Sequence, residues 1–224
     1  MNKLVLFDID GTLITDAHGH IEAFAVAFKT VYGVDGSIYM IRPSGMTDQE
    51  IILEVMQKCG LETAQIEEKI DECMAEMTRY FKAIQPNLTV KLLPSAKELL
   101  EKLQEDNSLI GLVTGNLEPI AYGKLELAGV LDYFKLGGFG SDARDRSELV
   151  KKAILVAKDK YGFEVGDNVY SLGDAPQDIQ AALASGSRPI GVTTGSHSED
   201  DLLNAGALHV YGSLEEVISN WPFK

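Results

Sequence analysis

Cysteine is scarce in this chain: there are two in 224 residues, Cys59 and Cys73. Both fall in helical patterns on apolar faces. They read as buried free thiols in a reducing compartment, and two are too few for a zinc site without neighbouring His. Basic residues are outnumbered, with 20 Lys and Arg against 34 Asp and Glu, for a formal net charge of −14. That imbalance disfavours nucleic acid and anionic membranes as partners, because both call for basic patches. It also repels anionic substrates at long range, so any site for one has to be built locally. No apolar run approaches the ~20 residues of a membrane span. Met1-Asn2-Lys3 leads directly into an apolar run, so no signal peptide is expected. The expected location is the cytoplasm. Gly-x-Gly-x-x-Gly, a phosphate loop with Lys and a Gly-x-Ser-x-Gly elbow are all missing, so nucleotide binding and serine hydrolysis of those types have no support.

What is present begins at the N-terminus. Leu4 to Phe7 reads as a buried strand, and its end turns abruptly polar in Asp8-Ile9-Asp10-Gly11-Thr12-Leu13. Side chains two apart on an extended segment share a face, and two carboxylates that close repel unless a cation or a proton intervenes. A hard divalent cation with oxygen ligands suits them. Gly11 allows a turn closed to most residues, and Thr12 offers a hydroxyl and an amide beside it.

Helical periodicity then holds for about seventy residues. His20 to Tyr32 is expected to be a helix ended by Gly33. A second follows Thr47 or Asp48 as cap and closes at Gly60, and a third spans about Thr63 to Ala83. From Leu93 helices alternate with short apolar strands at Leu109–Val113, Leu136–Phe139, Asn168–Leu172, Pro189–Val192 and Leu208–Tyr211. Asp145-Arg146-Ser147-Glu148 resembles a capping box that opens a helix running to about Tyr161. Alternation of this kind implies a parallel sheet. The expected architecture is an α/β fold, a Rossmann-like parallel-sheet core of residues 1–15 and 91–224. Residues 16–90 form an inserted α-helical cap.

Ligands of open parallel sheets bind beyond the carboxyl ends of the strands. Three of the expected strands end in polar residues: Asp8-Ile9-Asp10, Thr114-Gly115-Asn116, and Gly173-Asp174 with Asp178 four residues on. In order and spacing this resembles the haloacid-dehalogenase-like (HAD) superfamily. The nearest branch contains phosphoglycolate phosphatases and β-phosphoglucomutases and carries a type-1 helical cap. The resemblance implies a phosphatase acting on a small phosphorylated metabolite through an aspartyl-phosphate. Asp8 would be the nucleophile and Asp10 the general acid/base. The Thr114 hydroxyl and the next amide would hold the phosphoryl group, with Gly115, Asn116 and Thr12 as further substrate contacts. Mg²⁺ would be held by the Asp8 carboxylate, the Asp10 carbonyl and Asp174, with Asp178 orienting water behind them.

The sequence departs from the family pattern where a Lys, often followed by Pro, is usual. Here it reads Ser141-Asp142-Ala143-Arg144-Asp145-Arg146-Ser147. Arg144 and Arg146 are both candidates for that cation, since Arg grips phosphate bidentately. Spacing to Ala153 favours Arg144, and position at the helix start favours Arg146. Arg42 is a candidate for a second anionic group of the substrate, such as the carboxylate of phosphoglycolate. His18 and His20 are read as a helix start. The second Asp speaks against carbon–halogen cleavage. A phosphomutase or a non-catalytic phosphate-binding protein on the same fold remains an alternative, and a monomer or a homodimer is expected.

Overall fold

The computed structural model describes residues 2–15 and 18–220. Residues 16 and 17, where the sequence reading starts the insert, lie outside the described residues. The sheet has six strands, β1 (Leu4–Phe7), β4 (Leu109–Thr114), β5 (Leu136–Phe139), β6 (Val169–Gly173), β7 (Arg188–Val192) and β8 (His209–Tyr211). Their order is β5-β4-β1-β6-β7-β8, and every pairing is parallel. β1, β4 and β6 are buried throughout, as their unbroken apolar runs require of strands covered on both faces.

Alternate residues serve the two faces. Val5, Phe7, Ile110 and Leu112 join a core with Leu99, Leu100 and Leu103 of α5 (Ala96–Glu105), Leu125 of α6 (Glu118–Leu127) and Val217 of α10 (Leu214–Ser219). Leu4, Leu6, Leu109 and Val113 pack on the other side, against Leu149, Val150 and Ala153 of α7 (Arg146–Tyr161) and Ala181 of α8 (Pro176–Ala184). A short helix, α9 (Glu199–Asn204), lies between β7 and β8.

A third core belongs to the helices between β1 and β4. These are α1 (His18–Ala27), α2 (Asp48–Lys58), α3 (Thr63–Glu68) and α4 (Ile70–Ile84). Phe24, Phe28, Ile52, Met56, Cys73, Met77 and Phe81 form its centre, and Leu117 and Ile120 of the sheet side contribute to it. The chain enters and leaves this helical segment through a two-stranded antiparallel ribbon, β2 (Ile14–Thr15) against β3 (Lys91–Leu92).

Several local expectations change. The first helix becomes π-helical over Phe28–Tyr32 before Gly33 caps it in the left-handed conformation. The long third helix is two, broken at Lys69 (φ −121°, ψ 8°). Ile66, Ile70, Cys73, Met77 and Phe81 stay buried on both sides of the break, so apolar spacing alone shows one helix. Asp145 caps α7 by accepting from the Ser147 N–H at 2.8 Å. The reciprocal half of a capping box is not made, because Glu148 turns to Lys151 instead. Cys73 is buried as expected, whereas Cys59 is half-buried, its Sγ 4.0 Å from Met40 Sδ. Among the described residues no helix is long and apolar enough to cross a membrane.

Candidate active site

Because β4 and β6 both flank β1, the residues following these three strands meet at one place. The sheet order reverses direction at β1, and such a reversal opens a crevice at the carboxyl edge. Asp8, Asp174 and Asp178 converge there, each offering a carboxylate oxygen within 4.8 Å of the others. Gly11 makes the turn after Asp8 possible. It has φ +80°, and a Cβ there would lie 2.6 Å from Asp174 Oδ2.

Arg146 closes the group. Its Nη2 donates to Asp8 Oδ1 at 2.7 Å and lies 2.5 Å from Asp178 Oδ1, and its Nη1 donates to the Gly45 carbonyl at 3.2 Å. Arg144, the other candidate, faces away and pairs bidentately with Glu67 of α3. Of the two readings, position at the helix start points to the arginine that reaches Asp8.

Burial drives the Asp8 carboxyl up to about 7; Arg146 opposes this, while Asp178 and Asp10 add to it. Burial likewise raises Asp174 to about 8, helped by Asp8 and Asp178 and opposed by the Thr12 hydroxyl and Arg146. Burial raises Asp178 too, against the pull of Arg146. Three buried carboxylates that cannot all ionise against one guanidinium make a donor set short of positive charge. Hard oxygen donors in that state suit a divalent cation such as Mg²⁺.

Asp10 has a separate environment. Lys124 Nζ, from the middle of α6, donates to its two carboxylate oxygens at 2.7 and 2.9 Å. The same ammonium donates to Asn116 Oδ1 at 2.5 Å and reaches His20 Nδ1 at 3.1 Å. His20 Nδ1 therefore accepts, and its Nε2–H donates to Asp48 Oδ2 at 3.0 Å. Asp48 also accepts from the Leu117 N–H at 2.9 Å. Asn116 Nδ2 donates to Asp10 Oδ2 and to Thr114 Oγ1. Burial pushes the Asp10 carboxyl up, but above all the Lys124 ammonium, with the Asn116 amide, outweighs it and holds Asp10 below the usual carboxylate range. The Asp10 side chain nevertheless keeps 39% exposure, so it also faces the cavity.

Other candidates are placed as follows. Thr12 is fully buried, and its hydroxyl donates to Asp174 Oδ1 at 3.1 Å, engaged with that carboxylate rather than open to the cavity. Thr114 is buried at the end of β4, accepting from Asn116. Gly115 and Asn116 line the cavity. Arg42 is exposed and is not among the cavity's lining residues. Lys124, His20 and Asp48 were not read from the sequence as functional. Their signal was polar residues on apolar helical stripes: Lys124 stands four residues after buried Ile120, and His20 four before Phe24, on which its ring stacks at 5.0 Å.

The helical segment is docked onto this site. The Asp48 N–H donates to the Gly115 carbonyl at 2.8 Å, and Gln49 Nε2 donates to the Gly140 carbonyl at 2.7 Å. A Cβ on Gly115 would sit 2.2 Å from the Met46 carbonyl oxygen, so only glycine admits this approach.

Residues 5–192 match the sequence profile of the haloacid dehalogenase-like hydrolases. The chain belongs to that family. It is an enzyme, a phosphoric monoester hydrolase of the haloacid dehalogenase-like type. It is 29% identical to the validoxylamine A 7'-phosphate phosphatase of Streptomyces hygroscopicus subsp. limoneus, with 99% of this chain and 98% of that one covered. It is 26% identical to a phosphoglycolate phosphatase of Salmonella paratyphi A, covering 97% and 94%. A predicted phosphatase from Clostridium acetobutylicum superposes with a TM-score of 0.74 at 22% identity over 99% of this chain and 98% of that one, which attests the haloacid dehalogenase-like fold.

Proposed function

We propose that this protein is a Mg²⁺-dependent phosphatase that hydrolyses a small phosphorylated metabolite through a phosphoryl group carried on Asp8. The observation that carries the reading is the separation of two acidic centres. Asp8 stands in a carboxylate cluster with Arg146, while Asp10 is held apart by Lys124. Two carboxyl groups in unlike surroundings suit two unlike roles.

Asp8 attacks phosphorus, and the bond to the leaving alcohol oxygen breaks. Asp10 supplies the proton that oxygen takes up. A water then attacks phosphorus, Asp10 removes its proton, and Asp8 is released with inorganic phosphate. Arg146 holds Asp8 in place and presents positive charge to the phosphoryl oxygens, with Thr114 and the amide of Gly115 beside it. The Asp8 and Asp174 carboxylates and the Asp10 carbonyl would hold Mg²⁺, with Asp178 behind them. The ion would neutralise charge on the phosphoryl oxygens as phosphorus changes partners. The helices between β2 and β3 serve as a cap that encloses the reacting groups and selects the substrate.

The test is hydrolysis of p-nitrophenyl phosphate by wild type and Asp8→Asn, with Mg²⁺ and with chelator. The wild type should lose activity with chelator. Asp8→Asn should lose at least about 10³-fold in kcat while keeping its circular dichroism. Turnover surviving in Asp8→Asn would remove Asp8 as nucleophile. Release of inorganic phosphate from a sugar phosphate, rather than formation of its isomer, separates hydrolysis from mutase transfer.

A further inference from the structure

We infer that the alcohol released from the substrate is uncharged and largely apolar, rather than an acid or a second phosphate. The inference rests on the phosphatase reading and concerns the far wall of the same cavity.

That cavity, about 240 Å³, has a polar floor from the sheet and a roof from the helical segment. Ile21, Phe24, Ile38, Met46 and Ile51 make half of the roof's lining residues, with Pro43 as a further apolar one, and its polar side chains are His20, Ser44 and Asp48. Any group attached to a phosphoryl bound at Asp8 meets this apolar wall. Only two cations line the cavity among the described residues, Lys124 and Arg146. Lys124 is committed: its three ammonium protons are taken by Asp10, Asn116 and His20. Arg146 pairs through Nη1 and Nη2 with Asp8, Asp178 and the Gly45 carbonyl; its buried Nε–H has no partner, but this guanidinium is held at Asp8, the phosphoryl end of the cavity. His20 offers nothing further, since one ring nitrogen accepts from Lys124 and the other donates to Asp48.

Charge points the same way. Asp8, Asp10, Asp48 and Asp174 line the cavity against those two cations. One divalent ion brings the lining to balance, and the phosphoryl group then adds its own negative charge. A second anion on the substrate would enter a site already negative, beside apolar side chains that cannot solvate it. An apolar alcohol loses nothing there and gains by leaving water. Arg42, the sequence's candidate for a second anion, is exposed and lies outside the lining.

The experiment compares kcat/KM at saturating Mg²⁺ for three esters: phosphoglycolate, its isostere phosphoglycolamide, which lacks the carboxylate charge, and butyl phosphate. The expected order places both esters of uncharged alcohols at least about tenfold above phosphoglycolate. Ile21→Lys, which puts a cation in the roof at a partly exposed position, should shift the ratio toward phosphoglycolate by about tenfold or more. Leu155→Lys, which puts the same cation on the surface of α7 away from the cavity, should keep the wild-type order. Phosphoglycolate equal to or better than its amide in the wild type overturns the inference while the phosphatase reading stands. Failure to hydrolyse all three, and p-nitrophenyl phosphate as well, overturns both.

Discussion

At the scale of single residues, the chemistry depends on where positive charge is spent. In the proposed mechanism Asp10 gives a proton in one half of the reaction and takes one in the other, so its affinity for that proton would be decisive. Lys124 lowers that affinity. Lys124→Met should therefore raise it, moving the acid limb of the kcat profile to higher pH and lowering kcat about tenfold to a hundredfold near neutrality. A fall in kcat with an unmoved limb would mean that Lys124 serves packing alone. Asp8 and Asp174 behave oppositely. Without metal they titrate near 7 and 8, against 3.8 for an ordinary Asp. A carboxyl raised in the folded state stabilises the fold fully below its unfolded value, and that contribution is lost as pH climbs through the folded one. The metal-free protein should accordingly lose stability between about pH 4 and 8. If Asp8 and Asp174 hold Mg²⁺ as proposed, the ion would have to displace these protons, so it should bind more tightly at about pH 8 than at pH 6. Titration calorimetry in two buffers of different ionisation enthalpy reads the proton release directly, and its absence would contradict the assignment.

At the scale of elements, the strands and their ends were readable and the helix-borne partners were not. Asp8, Asp10, Thr114 and Asp174 stand out because each ends a buried apolar run, where any polar residue is conspicuous. Lys124, His20 and Asp48 sit inside helices or at their starts, where polar residues are ordinary. Their role depends on tertiary docking, which periodicity does not encode. Arg144 and Arg146 show the same limit. They are two residues apart, and only the packing of α7 and α3 decides that one meets Asp8 and the other Glu67. The ribbon of β2 and β3 also went unread, being two residues per strand. Docking itself can be probed at Gly115. In Gly115→Ala the new methyl would collide with Met46 and displace the start of α2, costing about 1–3 kcal/mol of stability. A lower thermal midpoint together with reduced kcat/KM is expected. Unchanged values would mean that the segment shifts freely.

At the scale of the whole molecule, the charge of −14 and the site are at odds. A doubly negative ester approaches a negative protein, and only short-range groups hold it once there. Screening should help. Raising NaCl from about 20 to 150 mM at fixed Mg²⁺ shortens the screening length from roughly 20 to 8 Å, and kcat/KM should rise about two- to threefold. A steep fall instead would show that local cations dominate the approach. The alternation of strands and helices made the overall architecture legible from the start, since parallel pairing follows from it. The core of the helical segment, to which Leu117 and Ile120 also contribute, is made by the apolar stripes of its helices.

Thr15 and Lys91 sit opposite each other where the chain departs from the sheet and comes back. Whatever is threaded between them, the sheet's wiring is undisturbed. One continuous stretch of gene, spliced out and exchanged, would bring a new roof, and that roof would again have to furnish the partners that His20, Asp48 and the Gly45 carbonyl give to Lys124, Leu117 and Arg146.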